Sequence, residues 1–283
     1  MANVRKMRAV TGAIALVVLT ALVLTACGGG QENDKRIRFG TQTYAEVKIL
    51  AYAGKMLLEK YTDCTADVTV DLGGIAVLDQ AMTHGDIDAM IAFTGGAGGL
   101  LHPAWRDEID LSDPKWRDPD VVYEFARDMN RERLGRVLLE PLGYNNTYAL
   151  TMRRDRAEEL GIRTVSDLQA HSAALVIGMD DAYKERPVDG YQQLLDWYGL
   201  DPFKETVSMN INLLYQAIRD GQVDIGVAYS SDARIYAYDL VWLEDDKQFF
   251  PPYHALYALS EDAVERCPEA VEALSQLSGQ VPI

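Results

Sequence analysis

DVTVDLGGIAVLDQAMTHGDIDAMIAF, Asp67 to Phe93, decides the fold class. DVTVDL alternates apolar and polar residues, the period of a strand with one face buried. Gly73-Gly74 turns the chain, and AVLDQAMTHG carries apolar residues at helical spacing up to a closing Gly85. DIDAMIAF is then a short apolar run of strand length, and TGGAGG breaks it. Strand, helix and strand in succession form the unit of a layered α/β sheet.

The same rhythm extends outward. RIRFG from Arg36 reads as a strand and AEVKILAYAGKMLLEKY, Ala45 to Tyr61, as a helix. After Asn146 come strand YALTM, helix VSDLQA, strand ALVIG, helix YQQLLDWYG, a strand near Val207, helix LYQAIRDG and strand VDIGVAY. Two α/β units of similar size, without a visible repeat, predict two lobes. Between them lie a polar, proline-bearing excursion, HPAWRDEIDLSDPKWRDPD, and a long helix from about Val121 to Leu134.

The N-terminus has a different logic. Arg5, Lys6 and Arg8 precede an apolar run from Ala13 to Leu24, then LTAC, Leu24 to Cys27, then three glycines. Basic, apolar and small-residue zones in this order make a secretory signal, and the run is shorter than the ~20 residues of a membrane-spanning helix. Its Leu-Thr-Ala-Cys ending resembles a bacterial lipobox, which implies cleavage before Cys27 and a lipid on that cysteine. Residues 1–26 are then a lipoprotein signal peptide and 27–35 the lipidated cysteine with a flexible tether.

The chain has 27 Lys+Arg against 43 Asp+Glu, and the signal holds basic residues but no acidic ones, so its removal deepens the acid excess. Nucleic acid and anionic headgroups are held by basic patches, and this surface excludes them as partners. The membrane is met through the lipid alone. Cys64 and Cys267 remain an even pair in an oxidising compartment, where both a disulfide and two buried thiols are open. The histidines, His84, His102, His171 and His254, lack ligand spacing, so no metal or other cofactor is expected. TGGAGG lacks the Lys-Ser/Thr of a phosphate loop, NNT is a glycosylation sequon by pattern only, and the prolines of FFPPY stiffen a loop.

Several phrases in order resemble the osmoprotectant (glycine betaine, choline, carnitine) substrate-binding proteins of ABC importers. They include GDIDAMIAFTGG (85–96), PLGYNNTYAL (141–150), GIRTVSDL (161–168), ERPVDGYQQL (185–194), YQAIRDGQVDIGVAYSSDARI (215–235) and DLVWLEDDKQFFPPYHA (239–255). The resemblance implies a two-lobe periplasmic-binding-protein fold of type II kind, with the ligand in the interlobe cleft. Lobe one would be 36–144 plus 249–283 and lobe two 145–248, with hinges near Gly143 to Asn146 and between Tyr229 and Tyr253. It further implies a monomeric, extracytoplasmic receptor that delivers its ligand to permease subunits, not an enzyme. No Gly-x-Ser-x-Gly elbow or metal cluster argues otherwise.

A quaternary ammonium carries charge but no N–H, so a protein holds it with aromatic faces rather than hydrogen bonds. By resemblance, Phe93, Tyr148, Tyr229 and Tyr253 align with the family's cage, and each lies at a predicted strand end or in the loop after one. Arg186 matches the family arginine for a ligand carboxylate, with Asp181 or Asp189 as the competing structural partner. Asn146 and Thr147 would complete the polar end, and Gln42 falls where relatives place a Lys or Gln.

Departures from the family are local. The phrase usually reading YPEYTGT is here MIAFTGG, Met90 to Gly96, so Ala92 replaces an acid and Gly96 a threonine. This predicts a wider, less polar lobe-one wall and leaves room for another betaine or a different small zwitterion. Relatives also continue beyond LSGQVPI by about a helix. A sensory or adaptor lipoprotein would share all these features with a transport receptor.

Overall fold

The computed structural model describes residues 35–281, so the signal and lipobox reading lies outside the described residues. The strands are β1 (Arg36–Gly40), β2 (Thr65–Thr69), β3 (Ala89–Phe93), β4 (Arg136–Leu138), β5 (Tyr148–Arg153), β6 (Val176–Met179), β7 (Glu205–Ser208), β8 (Ile225–Tyr229), β9 (Leu240–Trp242) and β10 (Ala255–Ser260). They form two five-stranded sheets, ordered β2-β1-β3-β10-β4 and β7-β6-β8-β5-β9. The protein is thus a two-lobe α/β fold.

Both sheets share one plan. In the first, β1 runs parallel to β2 and β3, and β10 is antiparallel to β3 and β4. In the second, β6 is parallel to β7 and β8, and β5 is antiparallel to β8 and β9. In each lobe the antiparallel strand is the one that has just crossed from the other lobe. A strand entering from the cleft must run opposite to strands whose carboxyl ends point there, and those ends are where open α/β sheets collect ligands. The register places Tyr148 opposite Tyr229 and Ala255 opposite Phe93, so cage candidates meet as neighbours at the cleft end.

The opening stretch folds as β2, helix Ile75–Thr83 and β3. β2 stops earlier than the alternation suggested, because Asp71 takes a positive φ of 60° and the Leu72 N–H turns to the Thr41 carbonyl. The long helix spans Pro119–Leu134, starting ahead of Val121. Asp118 caps it through the N–H groups of Asp120 and Val121, and Pro119 occupies the first turn, where its missing N–H costs nothing. VSDLQA forms the 3-10 turn Ser166–Ala170 instead of an α-helix. So short a segment gains too few bonds to offset nucleation, and the Asp167 carboxylate fixes its entry by accepting from Arg163 and Thr164 N–H.

Val47, Leu50, Ala51 and Leu58 of helix Ala45–Tyr61 pack on the first sheet. Cys64 and Cys267, both buried there, are disulfide-bonded with Cα atoms 6.3 Å apart. The excursion is less polar in space than in sequence. Leu100, Leu101, Leu111 and Trp116 cluster with Val122, and Val188 of the other lobe packs against them. The Arg117 guanidinium sits 5.3 Å from the Trp197 ring centre, a second bridge across the cleft.

Candidate functional site

A cavity of about 80 Å³ lies between the sheets, lined by Gln42, Phe93, Asn146, Tyr148, Arg186, Tyr229 and Tyr253, with Tyr44, Ile75 and residues 96–98. Seven of the eight candidate residues thus come together. Tyr148 is the centre of the rings. It lies 5.4 Å from Tyr229, 5.9 Å from Tyr253 in an edge-on contact, and 4.8 Å from Tyr183 behind it. Such separations are those of favourable aromatic pairs. Burial pushes the Tyr148 phenol up to about 12, with Asp189 and Asp180 adding to the rise and Arg186 opposing it. Burial likewise raises Tyr229 and Tyr253, so the rings stay neutral.

Arg186 stacks over Tyr148, 5.3 Å from its centre. Its Nε donates to Asp189 Oδ1 at 2.6 Å, and its Nη2 to Oδ2 at 2.7 Å and to the Tyr253 hydroxyl at 3.3 Å. That hydroxyl in turn donates to Asp189. The arginine therefore takes the structural partner weighed from the sequence, Asp189, while also lining the cavity. Burial works against its charge, but Tyr253 and Asp189 outweigh it and hold the guanidinium protonated. Nη1 makes no hydrogen bond among the described residues.

The facing wall has no charge at the cavity. Phe93 ends β3, and Gly96 to Gly98 follow in a turn closed by Gly96 N–H to the Phe93 carbonyl. A Cβ on Gly96 would meet the Tyr253 ring at 3.4 Å, an ordinary contact. Gly99 is different, since a Cβ would fall 2.2 Å from the Thr94 carbonyl oxygen. One layer back, Arg136 Nη1 donates to Asp79 at 2.5 Å, and His102 Nε2 contacts the same oxygen at 2.9 Å. The Ala104 N–H donates to His102 Nδ1, which leaves Nε2 as the protonated nitrogen. Burial would raise the Asp79 carboxyl, but His102 and Arg136 outweigh it and lower it to about 2. Asp79 is on the helix that begins with Ile75, so this network fixes the apolar wall from behind.

The lobes are joined by two paired crossings. Asn145 bridges His254, Asn146 N–H donates to the Tyr253 carbonyl, and Asn145 Oδ1 accepts from Tyr253 N–H at 2.6 Å. Tyr144 and Asn146 face Glu46 of helix Ala45–Tyr61, which accepts from the Tyr144 hydroxyl at 2.5 Å and from Asn146 Nδ2 at 3.2 and 3.3 Å. The Ser231 hydroxyl of the other lobe reaches the same carboxylate at 2.8 Å.

Thr147 is the candidate that the structure places elsewhere. It lines a separate hollow of about 360 Å³ behind the crossings, with Asn145, Arg117 and His254. Extended chain alternates its faces, so with Asn146 and Tyr148 in and around the cavity, Thr147 must point away. Its backbone pairs with Ser230, the Thr147 N–H donating to Ser230 Oγ and the Thr147 carbonyl accepting from Ser230 N–H. The residue missing from the sequence reading is Tyr44, 5.7 Å from Tyr229 and hydrogen-bonded through its hydroxyl to Gln42 Nε2 at 3.1 Å. Burial pushes its phenol well up. It follows β1 as TGG follows β3, and the strand-end rule that selected Phe93 applies to it equally.

Comparison with known proteins agrees with this geometry. A family model described as the substrate binding domain of ABC-type glycine betaine transport system matches residues 35–283. The carnitine transport binding protein OpuCC of Listeria monocytogenes is 31% identical over 270 residues, which cover 94% of this chain and 84% of that protein. A glycine-betaine-binding protein of Pseudomonas aeruginosa is 30% identical over 259 residues, 86% of this chain and 79% of that one. Among solved structures, one titled as a glycine betaine/carnitine/choline ABC transporter superposes with a TM-score of 0.70 at 28% identity, covering 87% of this chain and 88% of its own. The chain belongs to this substrate-binding family of ABC transport systems, a family of binding proteins and not of enzymes.

Proposed function

We propose that this member of the family is the extracytoplasmic receptor of an ABC importer and captures a quaternary-ammonium compatible solute, of the glycine betaine, choline or carnitine kind, in the interlobe cavity. The observation that carries the reading is the ring set. Tyr44, Phe93, Tyr148, Tyr229 and Tyr253 come from separate segments of the chain yet line one cavity of about 80 Å³. Rings around a desolvated cation contribute about 0.5–2 kcal/mol each.

Arg186 faces the ligand's carboxylate through Nη1, while Asp189 holds the other edge of the fork. The cavity is closed on both sides, by Glu46 with Ser231 and by Val188 with the Trp116 cluster. Closure excludes water, strengthens the cation–π and ionic contacts, and gives a permease a shape to recognise. The lobes meet at the two crossings, near Asn145–Asn146 and Tyr253–His254, and Phe249 and Phe250, expected in lobe one, pack in the core of the second sheet. LTAC, Leu24 to Cys27, supports a lipid anchor on Cys27 that keeps a monomeric receptor beside its permease. Incorporation of labelled palmitate that disappears in Cys27→Ser tests the anchor.

Calorimetry against glycine betaine, choline, carnitine and proline betaine tests the ligand class. Saturable heat with at least one of them is the expected result; silence with all of them removes the cage reading.

A further inference from the structure

Asn146 is 6% exposed and lines the cavity beside Tyr148 and Tyr229. Its amide is not free to choose a direction. Nδ2 donates to both oxygens of Glu46, at 3.2 and 3.3 Å, and a carboxylate can only accept. Glu46 is itself fixed by the Tyr144 and Ser231 hydroxyls, at 2.5 and 2.8 Å. The nitrogen end of the amide is therefore held toward Glu46 and the oxygen end away from it. That Oδ1 is buried and makes no hydrogen bond among the described residues.

A buried acceptor without a donor is disfavoured, and in a binding cavity the missing donor is supplied by the ligand or by a water. Neither end of glycine betaine has one, because the quaternary nitrogen bears no proton and the carboxylate only accepts. We infer that this cavity is built for a quaternary-ammonium ligand that also carries a hydroxyl or N–H donor, with Asn146 Oδ1 as the acceptor and Glu46 as the residue that positions it. The inference rests on the quaternary-ammonium reading and narrows it, since it favours hydroxylated solutes over the plain betaine. It also reverses the role read from the sequence, where Asn146 was a donor to a carboxylate.

Two matched pairs of probes test it by calorimetry on the full mature protein: L-carnitine against γ-butyrobetaine, and choline against propyltrimethylammonium. Within each pair the charge and the quaternary head are the same and the hydroxyl is the difference. The expected result is that the hydroxylated member binds about tenfold or more tightly, as sites that accept from a substrate hydroxyl reject its absence. Asn146→Leu should bring the ratio to about one. Glu46→Gln should also lower it, since the new amide can donate to Asn146 Oδ1 and let the Asn146 amide turn; should Asn146→Leu not fold, this variant decides. Equal affinities within both pairs would overturn the inference while leaving the cage intact. So would a hydroxyl preference that survives Asn146→Leu and Glu46→Gln, for the hydroxyl would then meet another group. Failure of all four probes to bind overturns the cage reading and the inference with it.

Discussion

The two walls of the cavity are built on the same strand order and finished differently. Each has an acid paired to an arginine, with one partner of the pair buried: Asp189 in the second lobe and Arg136 in the first. On the second-lobe side the pair, Asp189 and Arg186, stands at the cavity and the arginine stacks on the central ring. On the first-lobe side the pair, Asp79 and Arg136, stands one layer back, and what lines the cavity is Phe93, Ile75 and glycine. Charge at the surface of a site discriminates between ligands; charge behind it holds shape. The difference teaches that one wall selects while the other mainly excludes water.

The largest effect that would break this contrast is at Arg186. Arg186→Ala leaves Asp189, 1% exposed, without its partner, and stranding a buried charge costs about 3–5 kcal/mol. Denaturant unfolding should show a loss of that order, and carboxylated ligands should suffer more than choline. An unchanged midpoint would mean that water reaches Asp189 and that the wall is not dry.

Next comes Tyr148→Ala, which removes the ring that touches Tyr183, Tyr229 and Tyr253. Affinity for the best ligand should fall by at least about 1.4 kcal/mol, tenfold, by calorimetry. Phe93→Ala should cost less, since among the described residues this ring makes none of the ring-to-ring contacts that Tyr148 makes; equal losses would make the walls equivalent.

Acid should act on the first wall. The Asp79 carboxyl is lowered to about 2 in the folded chain against 3.8 as its ordinary value. Its contribution is fully present above about pH 4 and is lost as pH falls toward 2, because the unfolded chain takes up the proton first. Comparing unfolding midpoints of the native protein and Asp79→Asn between pH 6 and pH 2 checks this. The gap should close in acid, and a gap independent of pH would show that the carboxylate's charge is not what holds the helix.

The smallest effect sharpens the contrast. Gly96→Thr places its Cβ in ordinary contact with the Tyr253 ring and adds a hydroxyl to the apolar wall. The expected change is about threefold or less for the best ligand, with glycine betaine gaining on the others. A loss beyond tenfold would show that the wall is already filled to contact.

Much of this was legible in the sequence because strand ends are marked there. Phe93, Tyr148 and Tyr229 close or open apolar runs, and a sheet with parallel strands gathers such ends in one place. Helix Ala45–Tyr61 and β1 fall where periodicity put them. What could not be read depends on contacts between distant residues. Glu46 meets Asn146 across 100 positions, and nothing in either neighbourhood announces it. Val188 in the Trp116 cluster is a contact of the same kind. Thr147 is a separate matter, since the alternation of extended chain already forbids it and Asn146 from sharing a face. The pairing of Arg186 with Asp189, three residues apart, was visible as one of two options, and only geometry shows that the paired arginine also lines the cavity.

The bond between Cys64 and Cys267 has a consequence beyond the first lobe. Every strand of the second sheet lies between those two cysteines. The chain from one to the other, closed by the bond, is a covalent ring that contains both crossings and most of the cavity lining, Gln42 and Tyr44 lying just outside it. A protease that cuts any loop of the second lobe therefore opens the ring without releasing a fragment, and both pieces stay joined through the disulfide. On the outside of a cell, where such cuts are common and chains are not replaced in place, a nicked receptor is retained as one molecule until its disulfide is reduced.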